Sequence, residues 1–404
     1  MPRLLRYTVF ACLLPIVAQG GEKSLVEGGE SIETESVYLD SEPSLFDAVP
    51  FRGYFDWKKQ LKEDTGLTYG FNAYVLPQWG TESPQGTSDA FSGVYRFMGS
   101  WTLTGRESGN PGRIEFRIEN RSAHGGSLSP TDYGNELGMS ALNPGFIYND
   151  NFDTDVSVLN WTQIFTDSRW GFAVGRLAFD VYQDSYFLQT ISGNLLNRAF
   201  VVSPSIGTTG IGALGAVVHG FVNNNFWLGG QAYDANAANG DFDLDTVKEG
   251  EWLTNVEFGW TPDFNNFKRD RVLLTYWNKD ARELAGAPSG HGWTLSASHA
   301  VSEQLIPFLR LGYSNGGGGA PARESASLGF QYSPRKSQSL AIGLGWAQPS
   351  DKALREEYVL EAGYKVQVTP QLSLMPDLQY LIDPANNPEQ DSLWIFSLRM
   401  ILAL

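Results

Sequence analysis

Five charged residues of alternating sign occupy every second position of "GRIEFRIENR", residues 112–121. In order they are Arg113, Glu115, Arg117, Glu119 and Arg121. On a β-strand these side chains share one face, because successive side chains point to opposite sides of the strand. Guanidinium groups donate hydrogen bonds and carboxylates accept them, so this charge ladder can bind the hydroxyl groups of a polyol. The same pattern also suits paired ions that stiffen a sheet, and the sequence favours neither interpretation.

Two tryptophans form a second candidate site. Trp227 shares a predicted strand face with Gln231, and Trp277 shares one with Lys279. An aromatic ring offers a large apolar surface on which the C–H face of a sugar ring can stack, while the polar neighbours bind its hydroxyl groups. Ordinary packing beneath an inward-folded loop accounts for the same residues, and this second interpretation is the favoured one.

Metal-binding and catalytic motifs are weak throughout the chain. Asp241, Asp243 and Asp245 lie close together in residues 234–245, and carboxylate oxygens are ligands for calcium. However, Ala238 occupies a position where the calcium-loop pattern needs a ligand, so a solvated acidic loop is favoured. The four histidines are scattered, and the "GGGG" stretch lacks the Lys-Ser/Thr of a phosphate-binding loop. We therefore predict a protein without cofactors that is not an enzyme.

The elements that position these residues are short alternating strands. From Leu67 to the C-terminus we predict sixteen of them, and helical periodicity is almost absent. The breaks after even-numbered strands are short, whereas those after odd-numbered strands are longer and reach their maximum at 123–152 and 180–209. An even number of antiparallel strands with short turns at one end and long loops at the other is typical of bacterial outer-membrane barrels.

The polarity of the strand faces agrees with a transmembrane antiparallel β-barrel. In residues 372–382 the apolar Leu378 alternates with Asp377 and Gln379, and a barrel would turn Leu378 toward lipid and the other two toward the lumen. By the same rule, Arg96 on the second strand and Arg310 on the eleventh face the lumen and are candidates to join the charge ladder. The mean hydropathy of −0.24 is compatible with a barrel that has a polar interior.

The chain is expected to contain four segments. These are a signal peptide at 1–20, a disordered acidic leader at 21–50, a short N-terminal helix at 51–66 and the barrel at 67–404. The only cysteine, Cys12, lies within the apolar run of the signal peptide, so the mature protein would have no disulfide. The formal net charge is −16, and the leader carries eight acidic residues against one lysine. Such an anionic chain lacks the basic surface that nucleic acid binding requires.

The segment "EEYVLEAGYKVQVTPQLSLMPDLQYLIDPANNP", residues 356–388, resembles the closing hairpin of the OprB family of carbohydrate-selective porins. Weaker similarity extends over most of 51–404, including "WKKQLKEDTG", "NWTQ" and "FLRLGYSNG". Two departures are "VGR" at 174–176 in place of a glycine-lysine pair, and a final Leu404 in place of an aromatic residue. The resemblance implies a sixteen-stranded bacterial outer-membrane porin that passes monosaccharides such as glucose through a narrowed polar pore.

The resemblance also implies outer-membrane lipid and the barrel-insertion machinery as partners, with small sugars as solutes and a homotrimer left open. Leu404 would weaken recognition by that machinery. Two alternative functions remain open at this point. One is an outer-membrane barrel enzyme that acts on lipids or surface glycans, and the other is a secreted all-β domain that binds or cleaves sugars.

Overall fold

The structure is a computed structural model that describes residues 44–46, 51–81, 86–148, 151–165, 169–242 and 244–404. The predicted signal peptide and nearly all of the acidic leader lie outside the described residues. The three described leader residues include Leu45 and Phe46, whose backbone N–H groups donate to Gln367 O at 2.9 Å and Val368 O at 3.0 Å. The leader therefore meets the barrel at the turn between the fourteenth and fifteenth strands.

Sixteen antiparallel strands form one closed barrel, in which each strand pairs with its neighbours in sequence and β1 pairs with β16. The strands are β1 (Leu67–Gly80), β2 (Asp89–Thr104), β3 (Gly112–Ala123), β4 (Phe152–Phe165), β5 (Trp170–Leu177), β6 (Ala213–Phe221), β7 (Phe226–Asp234), β8 (Trp252–Trp260), β9 (Arg271–Lys279), β10 (Gly290–Ser298), β11 (Leu305–Ser314), β12 (Ala322–Arg335), β13 (Gln338–Pro349), β14 (Glu357–Gln367), β15 (Leu372–Ile382) and β16 (Ser392–Ala403). Closure leaves no unpaired strand edge, which is a requirement for a sheet in lipid. The predicted fold class and strand number are confirmed.

The barrel exposes its apolar side chains and encloses its polar ones. On β16, Trp394 and Phe396 are 44% and 45% exposed, while Ser397 and Arg399 between the apolar positions are buried. On β15, Leu378 is exposed and Asp377 and Gln379 are buried, as the alternating pattern predicts. A soluble sandwich would bury the apolar set instead, so this outward apolar surface fits a lipid environment.

The loops are sorted between the two ends of the barrel. Both the start of β1 and the end of β16 lie at the end that carries the short turns, such as 222–225 and 336–337. The long connections 124–151 and 178–212 leave from the opposite end. The turn 261–270 between β8 and β9 is longer than its neighbours at the short-turn end and contains a 3₁₀ turn at Phe264–Asn266.

Within the described residues, four α-helices accompany the strands. Helix α1 (Arg52–Thr65) precedes β1, where Phe55 is buried and the Trp57 ring lies 6.2 Å from that of Tyr69, centroid to centroid. Helices α2 (Pro130–Glu136), α3 (Phe179–Tyr182) and α4 (Arg198–Val201) belong to the two long loops. Within the described residues, no helix has the length and apolar character needed to cross a membrane.

The two long loops fold into the barrel and supply much of its interior core. One cluster of buried residues joins Tyr133, Leu195 and Phe200 from the loops to Val359 and Leu381 of the wall. The segment 178–212, which we call the inward loop, is buried along most of its length. The interior is consequently filled by protein on one side rather than forming a wide open cylinder.

Candidate pore lining and constriction

The charge ladder lies on the inner face of β3, and each of its five residues is at most 3% exposed. Arg113 Nε donates to Glu115 Oε1 at 2.9 Å. Glu119 accepts from Arg121 Nε at 2.8 Å and from Arg96 Nε at 2.5 Å, and Arg117 Nε lies 3.6 Å from it. The ladder is thus a network of ion pairs that includes Arg96 of β2, as the sequence suggested.

Hydroxyl groups of β4 extend this network to a third strand. Thr162 Oγ1 donates to Glu115 Oε2 at 2.9 Å, and Arg117 Nε donates to Ser157 Oγ at 2.8 Å. Charged hydrogen bonds between neighbouring strands restrict the side chains to one arrangement. Their burial shows that protein encloses these side chains at this level of the barrel.

Arg310 also faces the interior, but it does not join the ladder. Its Nη2 lies 2.5 Å from Asp184 Oδ2 of the inward loop, and its Nε donates to Ser296 Oγ at 3.0 Å. The backbone N–H of Asp184 donates to Glu257 Oε1 at 2.8 Å. The expectation that Arg310 contributes to the ladder is therefore wrong, because the inward loop supplies it with a closer carboxylate.

Two glutamates of β14 hold the long loops by their backbones. Glu357 Oε2 accepts the N–H groups of Ala141 and Leu142 at 2.8 and 2.9 Å. Glu361 accepts those of Leu196 at 2.5 Å and Asn197 at 3.0 Å. A carboxylate that receives several backbone N–H groups replaces the water that those groups would otherwise bind.

Cations of the wall hold the backbone carbonyls of the inward loop in the complementary way. Arg399 Nη1 donates to Ile191 O at 2.7 Å, and Lys279 Nζ donates to Thr208 O at 2.6 Å. Further side-chain contacts to the inward loop come from β7 through β16, for example from Gln231, Asn255, Ser325, Ser339 and Gln379. The inward loop is therefore hydrogen-bonded to that part of the wall, and its apolar residues also pack against Met98 of β2 and Val158 of β4, beside the charge ladder network.

A glycine allows the closest approach between the wall and the inward loop. A Cβ atom built on Gly363 of β14 would lie 1.9 Å from the carbonyl oxygen of Asn194. At this point the Asn194 side chain also exchanges hydrogen bonds with Ser339 at 2.9 and 3.0 Å. The position of the inward loop is thus fixed by shape as well as by charge.

Both candidate tryptophans are enclosed by protein. Trp277 Nε1 donates to Ser205 O of the inward loop at 3.1 Å. Trp227 packs against Phe221 and Phe267 with ring centroids 5.4 and 6.1 Å apart, near the short-turn end. These environments agree with the favoured packing interpretation.

The acidic loop uses its side chains for local contacts. Asp245 Oδ1 lies 2.6 Å from Lys248 Nζ, and the backbone oxygen of Asp241 accepts from Arg176. Asp243, the third weak calcium candidate, lies outside the described residues. Over the part of the chain that the structure describes, no group of three or more potential metal ligands is present.

The long loops are held by side chains that were not identified as functional from the sequence. The inward loop is held through Asp184, Glu257, Glu361 and Arg399, and the loop 124–151 is held through Glu357. The strand residues among them carry a usable signal, since a charge on the lumen face of a barrel strand must find a partner. Asp184 carries no such signal, because its position depends on how the inward loop folds.

Comparison with known proteins gives a consistent result. The family model described as "Carbohydrate-selective porin, OprB family" matches residues 109–402. Porin AaxA of Chlamydia pneumoniae is 25% identical over 386 residues, which cover 85% of this chain and 81% of that protein. Porin AaxA of Chlamydia caviae is 24% identical over 372 residues, or 84% of this chain and 77% of that one.

Solved structures share the fold. The high pH structure of Pseudomonas putida OprB superposes with a TM-score of 0.72 at 14% sequence identity, covering 90% of this chain and 99% of that chain. The low pH structure of the same protein gives a TM-score of 0.53 at 12% identity, with 88% and 97% covered. The predicted resemblance is confirmed.

Proposed function

Because the chain belongs to the OprB family of carbohydrate-selective porins, we propose that it passes monosaccharides such as glucose by passive diffusion, with selection at the charge ladder. The protein is a channel rather than an enzyme, and its barrel is integral to the bacterial outer membrane. The alternatives of a barrel enzyme and of a secreted sugar-binding domain are therefore wrong.

The alternation of charges on β3 is the observation that carries this proposal. Same-face residues of a strand are about 7 Å apart, so a donor and an acceptor lie within reach of different hydroxyl groups of one sugar ring. A hydroxyl group can accept from Arg117 and donate to Glu119, and it thereby replaces water that the sugar loses on entry. A simple cation is attracted only by the two glutamates of the ladder, and a simple anion only by its three arginines.

The inward loop supports a limit on solute size. It makes hydrogen bonds to the wall from β7 to β16 and also packs against Met98 of β2 and Val158 of β4, so the space left for a solute is narrow. The ladder residues are already in contact with one another in this structure. A permeating sugar must therefore exchange its hydroxyl groups for existing ion-pair contacts, which favours small and hydroxyl-rich solutes.

Current recordings on the wild-type channel in planar bilayers test this proposal. Glucose added to one side should reduce the ion current in a saturable way, whereas a trisaccharide should cause only the small decrease expected from viscosity. Liposomes that contain the channel should swell in glucose and not in the trisaccharide. Equal current reduction by both sugars, together with equal swelling, would show a general porin without monosaccharide selectivity.

The route to the membrane is also a proposal. Removal of residues 1–20 would leave a mature chain that starts with the acidic leader and is folded by the barrel-insertion machinery. Mass spectrometry of protein from outer membranes tests the cleavage site. A mature chain that retains Arg3 and Arg6 would contradict it.

A further inference from the structure

Arg198 of the inward loop is a buried cation whose side chain contacts an aromatic ring among the described residues. It begins helix α4, is 8% exposed, and its guanidinium carbon lies 4.1 Å from the ring centroid of Phe146. Its Nε and Nη2 atoms are enclosed and have no hydrogen-bond acceptor. Among the residues that the structure describes, no carboxylate forms an ion pair with it.

Other interior cations have acceptors within the protein. Arg399 and Lys279 donate to carbonyl oxygens of the inward loop, and Arg310 pairs with Asp184. Each of these three cations therefore has an oxygen acceptor inside the protein. Arg198 is still cationic at neutral pH, since an arginine is not deprotonated there.

The cost of this arrangement is not offset by the contacts that the structure provides. Burial of an unpaired charge is strongly unfavourable, and the face of one aromatic ring recovers only a small part of the lost hydration. An ionisable residue enclosed inside a membrane protein is for this reason a candidate for a position on a solute pathway.

Arg198 is placed where the two long loops meet inside the barrel. Its backbone N–H donates to Asn143 O at 2.9 Å, and Phe146 belongs to the same loop as Asn143. Helix α4 also packs against β12 and β13. Both loops leave the strands at the long-loop end, so their junction lies on the side of the barrel from which those loops fold inward.

We propose that Arg198 binds the carboxylate of an acidic sugar, so that the channel accepts aldonates and uronates better than neutral hexoses. Nε and Nη2 form the edge of the guanidinium whose parallel N–H groups match the two oxygens of a carboxylate. Both atoms are enclosed, so the carboxylate must displace neighbouring side chains such as Phe146. This inference rests on the proposed function, because it assigns a solute class to the same channel.

Ion-current recordings in planar bilayers test the proposal by comparing the concentrations at which glucuronate and glucose, added separately, reduce the current. For the wild type, glucuronate should reduce the current at a concentration about tenfold lower than glucose, which corresponds to about 1.4 kcal/mol. In Arg198→Gln this preference should disappear while the reduction by glucose remains. Arg198→Lys, which keeps the charge but loses the paired N–H edge, should retain only part of the preference.

Lys352→Gln is the matched control, because it removes an exposed positive charge from the long-loop end. It should leave the preference for glucuronate unchanged. Equal reduction by both sugars in the wild type, or a preference that persists in Arg198→Gln, would overturn the inference. If glucose itself fails to reduce the wild-type current while glucuronate does, monosaccharide selectivity at the ladder is wrong but the role of Arg198 stands.

Discussion

The guanidinium of Arg310 and the carboxylate of Asp184 meet at 2.5 Å between strand β11 and the inward loop, with both side chains at most 4% exposed. Asp184 has a positive φ of 48°, and its backbone N–H is bound by Glu257. This pair thus fixes an unfavourable backbone conformation at the start of the segment that narrows the barrel.

Substitution Arg310→Met should loosen the inward loop and raise the single-channel conductance. The substitution leaves Asp184 buried without its partner, and the loss of one member of a buried pair costs about 3–5 kcal/mol. Asp184→Asn combined with Arg310→Met should recover part of this cost, so a double-mutant cycle measured by thermal unfolding should show coupling.

The pair Lys248 and Asp245 provides the control for that experiment, since it is also an ion pair but is 72% and 78% exposed. Lys248→Met should leave conductance and unfolding temperature unchanged, because exposed pairs contribute little. An Arg310→Met channel with wild-type conductance would show that the inward loop is held without this pair.

Glu361→Gln should increase the hydrogen exchange of the Leu196 and Asn197 amides. The glutamine side chain has one acceptor oxygen where the carboxylate has two, so one buried N–H loses its partner at a cost of about 1–3 kcal/mol. Exchange measured by mass spectrometry on peptides that cover 194–199 reports this change.

Glu356→Gln is the matched control for this substitution. Glu356 is exposed and accepts from Trp346 Nε1 at 3.0 Å and Tyr358 OH at 2.8 Å, away from the inward loop. The variant Glu356→Gln should leave the hydrogen exchange of the amides at 194–199 unaffected. Unchanged exchange in Glu361→Gln would mean that other contacts alone determine the protection of these amides.

Gly363→Ala should displace the tip of the inward loop and lower the unfolding temperature. Its methyl group would lie 1.9 Å from Asn194 O, and such overpacking costs about 1–3 kcal/mol. Gly230→Ala is the matched control for a glycine-to-alanine change in a strand, because its methyl group would meet only Val218 at 3.8 Å. If both variants unfold at the same temperature on heat-modifiability gels, the close approach at Gly363 has no structural role.

Strand number, loop order and the outward apolar surface could be predicted because each follows from a period-two pattern along single strands. For the same reason Arg96 and the five ladder residues were assigned to the interior correctly. The partner of Arg310 was missed, because the choice between Glu119 and Asp184 depends on a loop of irregular backbone. Periodicity carries no information about the path of such a loop.

The central claim is that the charge ladder selects the sugar. Measuring how strongly glucose blocks the ion current through Arg117→Ala tests this claim most directly. Loss of this guanidinium removes donors from the ladder and widens the passage, so conductance should rise while the glucose concentration for half-maximal block increases severalfold. Reduced positive charge should also increase cation preference at low salt, and less so at 1 M, where screening acts over about 3 Å. Block and conductance that both equal those of the wild type would show that the ladder only reinforces the wall, and that selection takes place elsewhere.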